Sequence, residues 1–342
     1  MSNPYTLVFG QPPLENIERT ALTERIISDF CQERPSNYIN LITGIRGSGK
    51  TVFLTEIAER LNSRKEWVVI NLNPQRDLLE SLAAKLESNT SLKKIFREAE
   101  INLQAFGIGI GVKGHPVTDI EEALSKMFRS LKKHGKRVLI TIDEVTNSKE
   151  LRIFASSYQM FLRERLPVFL LMTGLFKSIN RLKNAEGMTF LERAPRTVLS
   201  PLDITAVALS YKATLGIGED KAFRLALDTR GYSFAFQTIG YFTWENPDDP
   251  EKAKRDAKDY LKEFAYNKIW SELSGKDREV IRAMARVPSG EIIKIRKELN
   301  FSSNQFNPYR DRLIKAGVII GRDNGLVEFA LPWFEEFALN QE

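Results

Sequence analysis

The sequence predicts an α/β protein built on a phosphate-binding loop, with a helical region and a hairpin-bearing domain behind it. Three observations predict it. Residues 38–51 read YINLITGIRGSGKT, an apolar run followed by a glycine-rich loop. Residues 137–145 read RVLITIDEV, a second apolar run that closes on two acids. Near the C-terminus, helical periodicity gives way to two apolar runs around Asp323-Asn324-Gly325.

The first strand spans residues 38–43, which are mostly apolar and β-branched despite Asn40. Gly44, Ile45, Arg46, Gly47, Ser48, Gly49, Lys50 and Thr51 then fit GxxxxGK[ST]. Phe53, Leu54, Ile57, Ala58 and Leu61 follow at helical spacing. Strand, loop and helix in that order are the context the motif requires. The glycines let backbone N–H groups turn toward phosphate oxygens, and the helix N-terminus adds unpaired donors. Lys50 is expected to reach the β- and γ-phosphates, and the Thr51 hydroxyl to ligate Mg2+. ATP with Mg2+ is therefore the expected cofactor pair.

The second strand, residues 138–142, ends in Asp143-Glu144. Paired with a phosphate loop upstream, this is the Walker B pattern. Asp143 would hold Mg2+, and Glu144 would orient and deprotonate the attacking water. A third strand, 168–172, starts after Pro167 and closes at Thr173-Gly174. Thr173 either contacts the γ-phosphate and attacking water or simply ends a strand.

These residues resemble the AAA+ and STAND-type P-loop ATPases, and among them the archaeal and bacterial ATPases related to origin-recognition proteins. GIRGSGKT, VLITIDEV and LLMTG carry the resemblance. It implies a five-stranded parallel sheet of order 5-1-4-3-2, an α-helical lid and a C-terminal winged helix. The strands would be 38–43, 67–71, 138–142, 168–172 and 196–200. The opening NPYTLVFGQPP is similar to a stretch that lies against adenine in such proteins, which makes Pro4, Tyr5, Phe9 and Gly10 candidates for the base pocket. An N-terminal arm packed on the core is the alternative. FLERAPRTVLSPL resembles the segment of the arginine finger, with Arg193 and Arg196 as candidates. Ordinary surface arginines are the alternative there. One departure stands out. The stretch Gly231-Tyr232-Ser233 lacks the lid arginine of the origin-recognition ATPases and is closer to the GxP lid motif, with Ser233 at the proline place. That favours a slow nucleotide switch over a strong hydrolytic machine.

Between the strands expected at 67–71 and 138–142, residues 101–114 read INLQAFGIGIGVKG. Ile108, Ile110 and Val112 alternate with glycines, as in a strand or hairpin. It either packs on the core or contacts a partner. Domain boundaries are expected at 1–202 for the ATPase core, 203–274 for the lid and 275–342 for the winged helix. In the last, Ser302 or Ser303 would cap the third helix, and Asp323-Asn324-Gly325 would turn the wing. Asn304, Gln305, Asn307, Arg310 and Arg312 would lie on that helix and Arg322 on the wing, within reach of DNA. Pro308 suits the helix only if Asn307 is its cap. Double-stranded DNA and a protein partner are both open as ligands of this domain.

Composition bounds the rest. Of 342 residues, 42% are hydrophobic and 27% charged, an ordinary globular balance. The net charge of +6 is mild overall but concentrated: residues 276–322 alone hold +6. A single cysteine, Cys31, cannot form an internal disulfide. Only two histidines, His115 and His134, are present, so zinc sites needing several Cys or His ligands are excluded. With no signal-peptide pattern and no long apolar run, a soluble, cytoplasmic chain without a membrane partner is expected. A homo-oligomer remains open, because the finger arginine usually acts on a neighbouring subunit.

Overall fold

A computed structural model describes residues 2–8, 10, 13–101 and 117–341. The chain divides into two units, one of Thr20–Thr43 with Phe53–Val198, the other of Met1–Arg19, Gly44–Val52 and Leu199–Glu342.

The first unit holds the sheet. Four apolar runs form β1 (Ile39–Thr43), β2 (Trp67–Leu72), β3 (Arg137–Ile142) and β4 (Val168–Gly174), and the short edge strand β5 (Arg196–Val198) carries Thr197 inward and Val198 exposed. Their order is β2-β3-β4-β1-β5, and every pairing is parallel. This is the expected order read from its other edge. Buried on both faces, β1 and β4 read as continuous apolar runs rather than alternating ones. Asn40, the polar exception in β1, is buried and accepts from the Thr197 hydroxyl of β5 at 3.0 Å. β5 stops at Val198, two residues short of the expected end, because its partner β1 ends at Thr43, opposite Val198. Helices Leu78–Ser88, Val117–Lys133 and Lys149–Arg163 contribute Leu82, Phe128 and Phe154 to the core. Ser148 starts the last of these, its side chain accepting from the Leu151 N–H. Register aligns the carboxyl ends: Thr43 lies beside Gly174, and Ile142 beside Met172. The chain leaves β1 from that edge. Ile101 packs on this core, whereas the rest of the expected 101–114 hairpin lies outside the described residues.

The second unit is helical. Asp203 caps Ile204–Leu215, and Gly216 closes it in the left-handed region at φ 64°. Glu219–Thr229 and Ser233–Glu245 follow, and Pro250–Leu261 then starts at a proline, where no donor is lost. That helix continues through one π turn, Lys262–Tyr266, into Asn267–Glu272. Next come Gly275–Arg286, Ile292–Leu299 and Ser303–Ala316, then a hairpin of β6 (Ile319–Arg322) and β7 (Leu326–Phe329). Asn324 and Gly325 take positive φ in its turn. Ser302 caps Ser303–Ala316 in a reciprocal box with Gln305. The cap is therefore not Asn307, and Pro308 lies inside the helix. Pro308 has no N–H for the Asn304 carbonyl, so the helix carries a missing rung. Among the described residues, no helix is long and apolar enough to cross a membrane.

Candidate functional site

The second unit carries the phosphate loop, residues 44–51. Gly47 and Gly49 take φ of 75° and 84°, which side chains rarely adopt. A Cβ on Gly47 would also meet the Tyr232 hydroxyl oxygen at 2.3 Å. The loop's outward face is held by three consecutive residues at the start of the helix Ser233–Glu245. The Tyr232 hydroxyl donates to the Arg46 carbonyl (2.7 Å), the Phe234 N–H to the Gly47 carbonyl (3.0 Å), and the Ser233 hydroxyl to the Ser48 carbonyl (3.1 Å). Burial pushes the Tyr232 phenol well up, so it stays a donor. In a trans peptide the N–H points opposite its carbonyl. Turning the carbonyls of Arg46 and Ser48 to that helix start thus turns the N–H groups of Gly47 and Gly49 the other way. The Ser48 N–H closes a turn on the Ile45 carbonyl at 3.2 Å.

Lys50 is buried, and its Nζ donates to the carbonyls of Gly44 (3.2 Å) and Ile45 (2.9 Å). It opens the helix Lys50–Asn62, with Thr51 behind it. The Ser48 hydroxyl oxygen is buried and accepts from no partner among the described residues. A glycine-bounded cradle, a buried ammonium and an orphaned buried oxygen fit a polyphosphate. Arg46 turns its guanidinium away, to Glu272 at 3.1 Å. From the arm, Arg19 donates to the carbonyls of Ser48 (3.3 Å) and Ser200 (3.0 Å).

The arm itself is pinned to the helices Ile204–Leu215 and Ser233–Glu245. Tyr5 is 2% exposed, edge-on to Tyr211 and Phe236, and its ring would meet a Cβ on Gly240 at 2.5 Å. The Thr6 N–H donates to Gln237 at 3.0 Å. Tyr5 thus has a packing role and no ring face open to a base. Pro4 is half-buried, its carbonyl accepting from the Glu15 N–H at 3.4 Å, and Gly10 is exposed. Phe9 lies outside the described residues.

The sheet unit carries the acidic strand end. Glu144 follows β3 with φ 53°, an uncommon conformation for a residue with a Cβ. Its N–H donates to the Thr173 hydroxyl and to the Asp143 carboxylate, each at 3.1 Å. The Thr173 hydroxyl in turn donates to Asp143 in a short bond. Thr173 is fully buried at the end of β4, so it ties two strand ends together and aims Glu144 outward. Among the described residues, no cluster of three or more His, Cys, Asp or Glu could hold a resident metal.

The two finger candidates differ. Arg196 sits on β5 with its guanidinium 2.6 Å from Asn180 and 4.7 Å over the Phe176 ring, and burial lowers its pKa. It is a packed residue. Arg193 is exposed in the short helix Thr189–Arg193, with no hydrogen bond or ion pair among the described residues.

In the C-terminal region, Asn304 and Asn307 are exposed, whereas Gln305 is spent on the helix cap. Arg310 pairs with its neighbour Asp311 at 3.0 Å, Arg322 pairs with Glu328, and Arg312 reaches buried Asp277 through Nε at 2.9 Å.

A family model described as "ATPase domain predominantly from Archaea" matches residues 25–170. The chain resembles the P-loop ATPases related to origin-recognition proteins. A second model, a domain of unknown function, matches residues 263–338. Among solved structures, a Walker-type ATPase of Pyrococcus abyssi is similar at TM-score 0.64 and 14% identity, over 94% of this chain and 96% of that one. The ORC2 protein of Aeropyrum pernix, in ADPNP–ADP complexes, is similar at TM-score 0.60 and 13% identity, over 97% and 94%. Among curated proteins, no sequence relative matches.

Sequence reasoning singled out the lid stretch for its missing arginine but not for its contacts. Their signal is the run of hydrogen-bonding residues after Gly231. The Arg46–Glu272 pair, 226 residues apart, carries no local signal.

Proposed function

We propose that this chain is an ATPase whose nucleotide state governs association of its C-terminal region, read as a winged helix, with double-stranded DNA. The observation that carries the nucleotide reading is the loop whose carbonyls are tied to the lid, leaving the Gly47 and Gly49 N–H groups for phosphate. ATP and Mg2+ supply the phosphoanhydride and the cation that neutralises it. Lys50 would hold the β- and γ-phosphates, and the cation roles assigned to Thr51 and to Asp143 rest on their motifs. Glu144, held in a costly backbone conformation by Thr173 and Asp143, is positioned to accept the water proton. Exposed Arg193 is the residue we would assign to a neighbouring copy's phosphate. ADP would remain as the product state of a slow switch.

Support for DNA rests on the +6 charge of residues 276–322 and on exposed Asn304 and Asn307. A protein partner is the second reading. It is favoured because Arg310, Arg312 and Arg322 are each ion-paired within the domain. Duplex binding measured across a salt series, with and without ATP, decides between them. Steep loss of affinity from ~50 mM salt upward supports DNA. No binding at ~50 mM salt in either state leaves the protein partner.

A further inference from the structure

We infer that Arg230 and Glu335 are positioning residues of the phosphate loop, coupling it to the C-terminal hairpin and last helix. The inference rests on the nucleotide reading above and deepens it by naming how the site is regulated.

Arg230 ends the helix Glu219–Thr229 with φ 50°, a place that favours Gly or Asn. An arginine there carries backbone strain that its contacts must offset. Its guanidinium has four acceptors. It donates to the carbonyls of Phe329 (3.2 Å) and Leu331 (3.1 Å), and to both oxygens of Glu335 (2.6 and 3.2 Å). These acceptors lie at the end of β7, two residues beyond it at Leu331, and on the helix Phe334–Leu339. A fork-to-fork contact plus two carbonyls fixes the guanidinium in orientation as well as place.

The next residue cannot absorb a movement of Arg230. The Gly231 carbonyl accepts from the Leu202 N–H at 2.7 Å, and a Cβ there would meet the Leu202 carbonyl oxygen at 2.5 Å. Beyond it come Tyr232, Ser233 and Phe234, which hold the carbonyls of residues 46, 47 and 48. Five consecutive residues therefore grip the hairpin end with the first and the phosphate loop with the last three. Two further contacts run alongside: Arg46 with Glu272, and Ile45 beneath Gly317, where a Cβ would meet the Ile45 Cβ at 3.3 Å. Loosening Arg230 lets the loop carbonyls turn, and the N–H groups behind them lose their aim.

Coupling of this kind is reciprocal. Bound ATP should steady the hairpin and last helix, and their grip on Arg230 should raise ATP affinity. The test compares the full-length wild type with Glu335→Gln and with Tyr232→Phe, which removes only the hydroxyl at the loop end. ATP affinity is read by calorimetry, and amide exchange is followed over residues 326–339. Expected are about five- to tenfold weaker ATP binding in both variants, and an ATP-induced slowing of exchange in the wild type that Glu335→Gln loses. Melting temperature without nucleotide should stay close to wild type in Tyr232→Phe, which separates positioning from general stability. Wild-type ATP affinity in both variants, or ATP-induced slowing retained in Glu335→Gln, overturns the inference alone. A wild type that binds no ATP overturns it together with the nucleotide reading.

Discussion

Lys50, Glu144 and Thr173 each concentrate one step of the proposed chemistry, and single substitutions separate them. Lys50→Ala removes a charge-assisted donor set at the loop, and ATP affinity should fall by about 100-fold, ~3 kcal/mol. Calorimetry giving wild-type affinity would reject the loop as the phosphate site. Glu144→Gln keeps the shape of the residue and deletes its base, so ATP should bind normally while turnover drops by about 10²- to 10⁴-fold. Turnover at the wild-type rate would exclude Glu144 as base. Thr173→Val keeps the volume at a fully buried position but removes the hydroxyl joining Asp143 to the Glu144 N–H. The expected outcome is a fall in kcat of about 10- to 100-fold with little change in ATP affinity. An unchanged kcat would reduce Thr173 to a strand end.

Among the elements, Ser303–Ala316 offers the clearest stability test. Pro308 removes one rung and crowds the preceding turn, a defect worth up to about 3 kcal/mol in a helix interior. Pro308→Ala should therefore raise the melting temperature by several degrees. A lower melting temperature would show that the proline ring is needed for packing. Arg312 belongs to a different case, because its partner Asp277 is 4% exposed and completes the Ser274 cap. Arg312→Ala should lower the melting temperature, so a loss of DNA binding in that variant would report folding. Arg310 and Arg322, with exposed partners, are the cleaner probes. At this scale the sequence was highly legible. Apolar runs mark the strands β1, β3 and β4, since a parallel sheet buries both faces, whereas β5, Arg196–Val198, was implied only by the resemblance because an edge strand with an exposed Val198 leaves no apolar run. Ser302 and Asn324-Gly325 announced a cap and a turn through local chemistry. Where local rules misled, at Pro308, tertiary packing of Phe306 and Leu313 overrode helix propensity.

For the whole molecule, the motifs named the chemistry but not the supports. Gly47, Gly49 and Lys50 were readable because phosphate binding demands those types at those spacings. Tyr232, Ser233 and Arg230 were not, because hydrogen bonds between residues 99 or 186 positions apart leave no periodicity to find. Tyr5 shows the same limit: an aromatic near the N-terminus suits a base pocket or a buried plug equally until its neighbours are known. One arrangement has a practical outcome for dissecting the protein. The chain crosses between its two units after Arg19, Thr43, Val52 and Val198. No single cut can release either unit whole. A fragment stopped at Val198 would keep the glycine loop while discarding Tyr232, Ser233 and Phe234, the partners of its carbonyls. The smallest piece able to retain an ordered loop extends well past the part that reads as an ATPase, which makes the C-terminal half a structural subunit of the nucleotide site rather than an appendage to it.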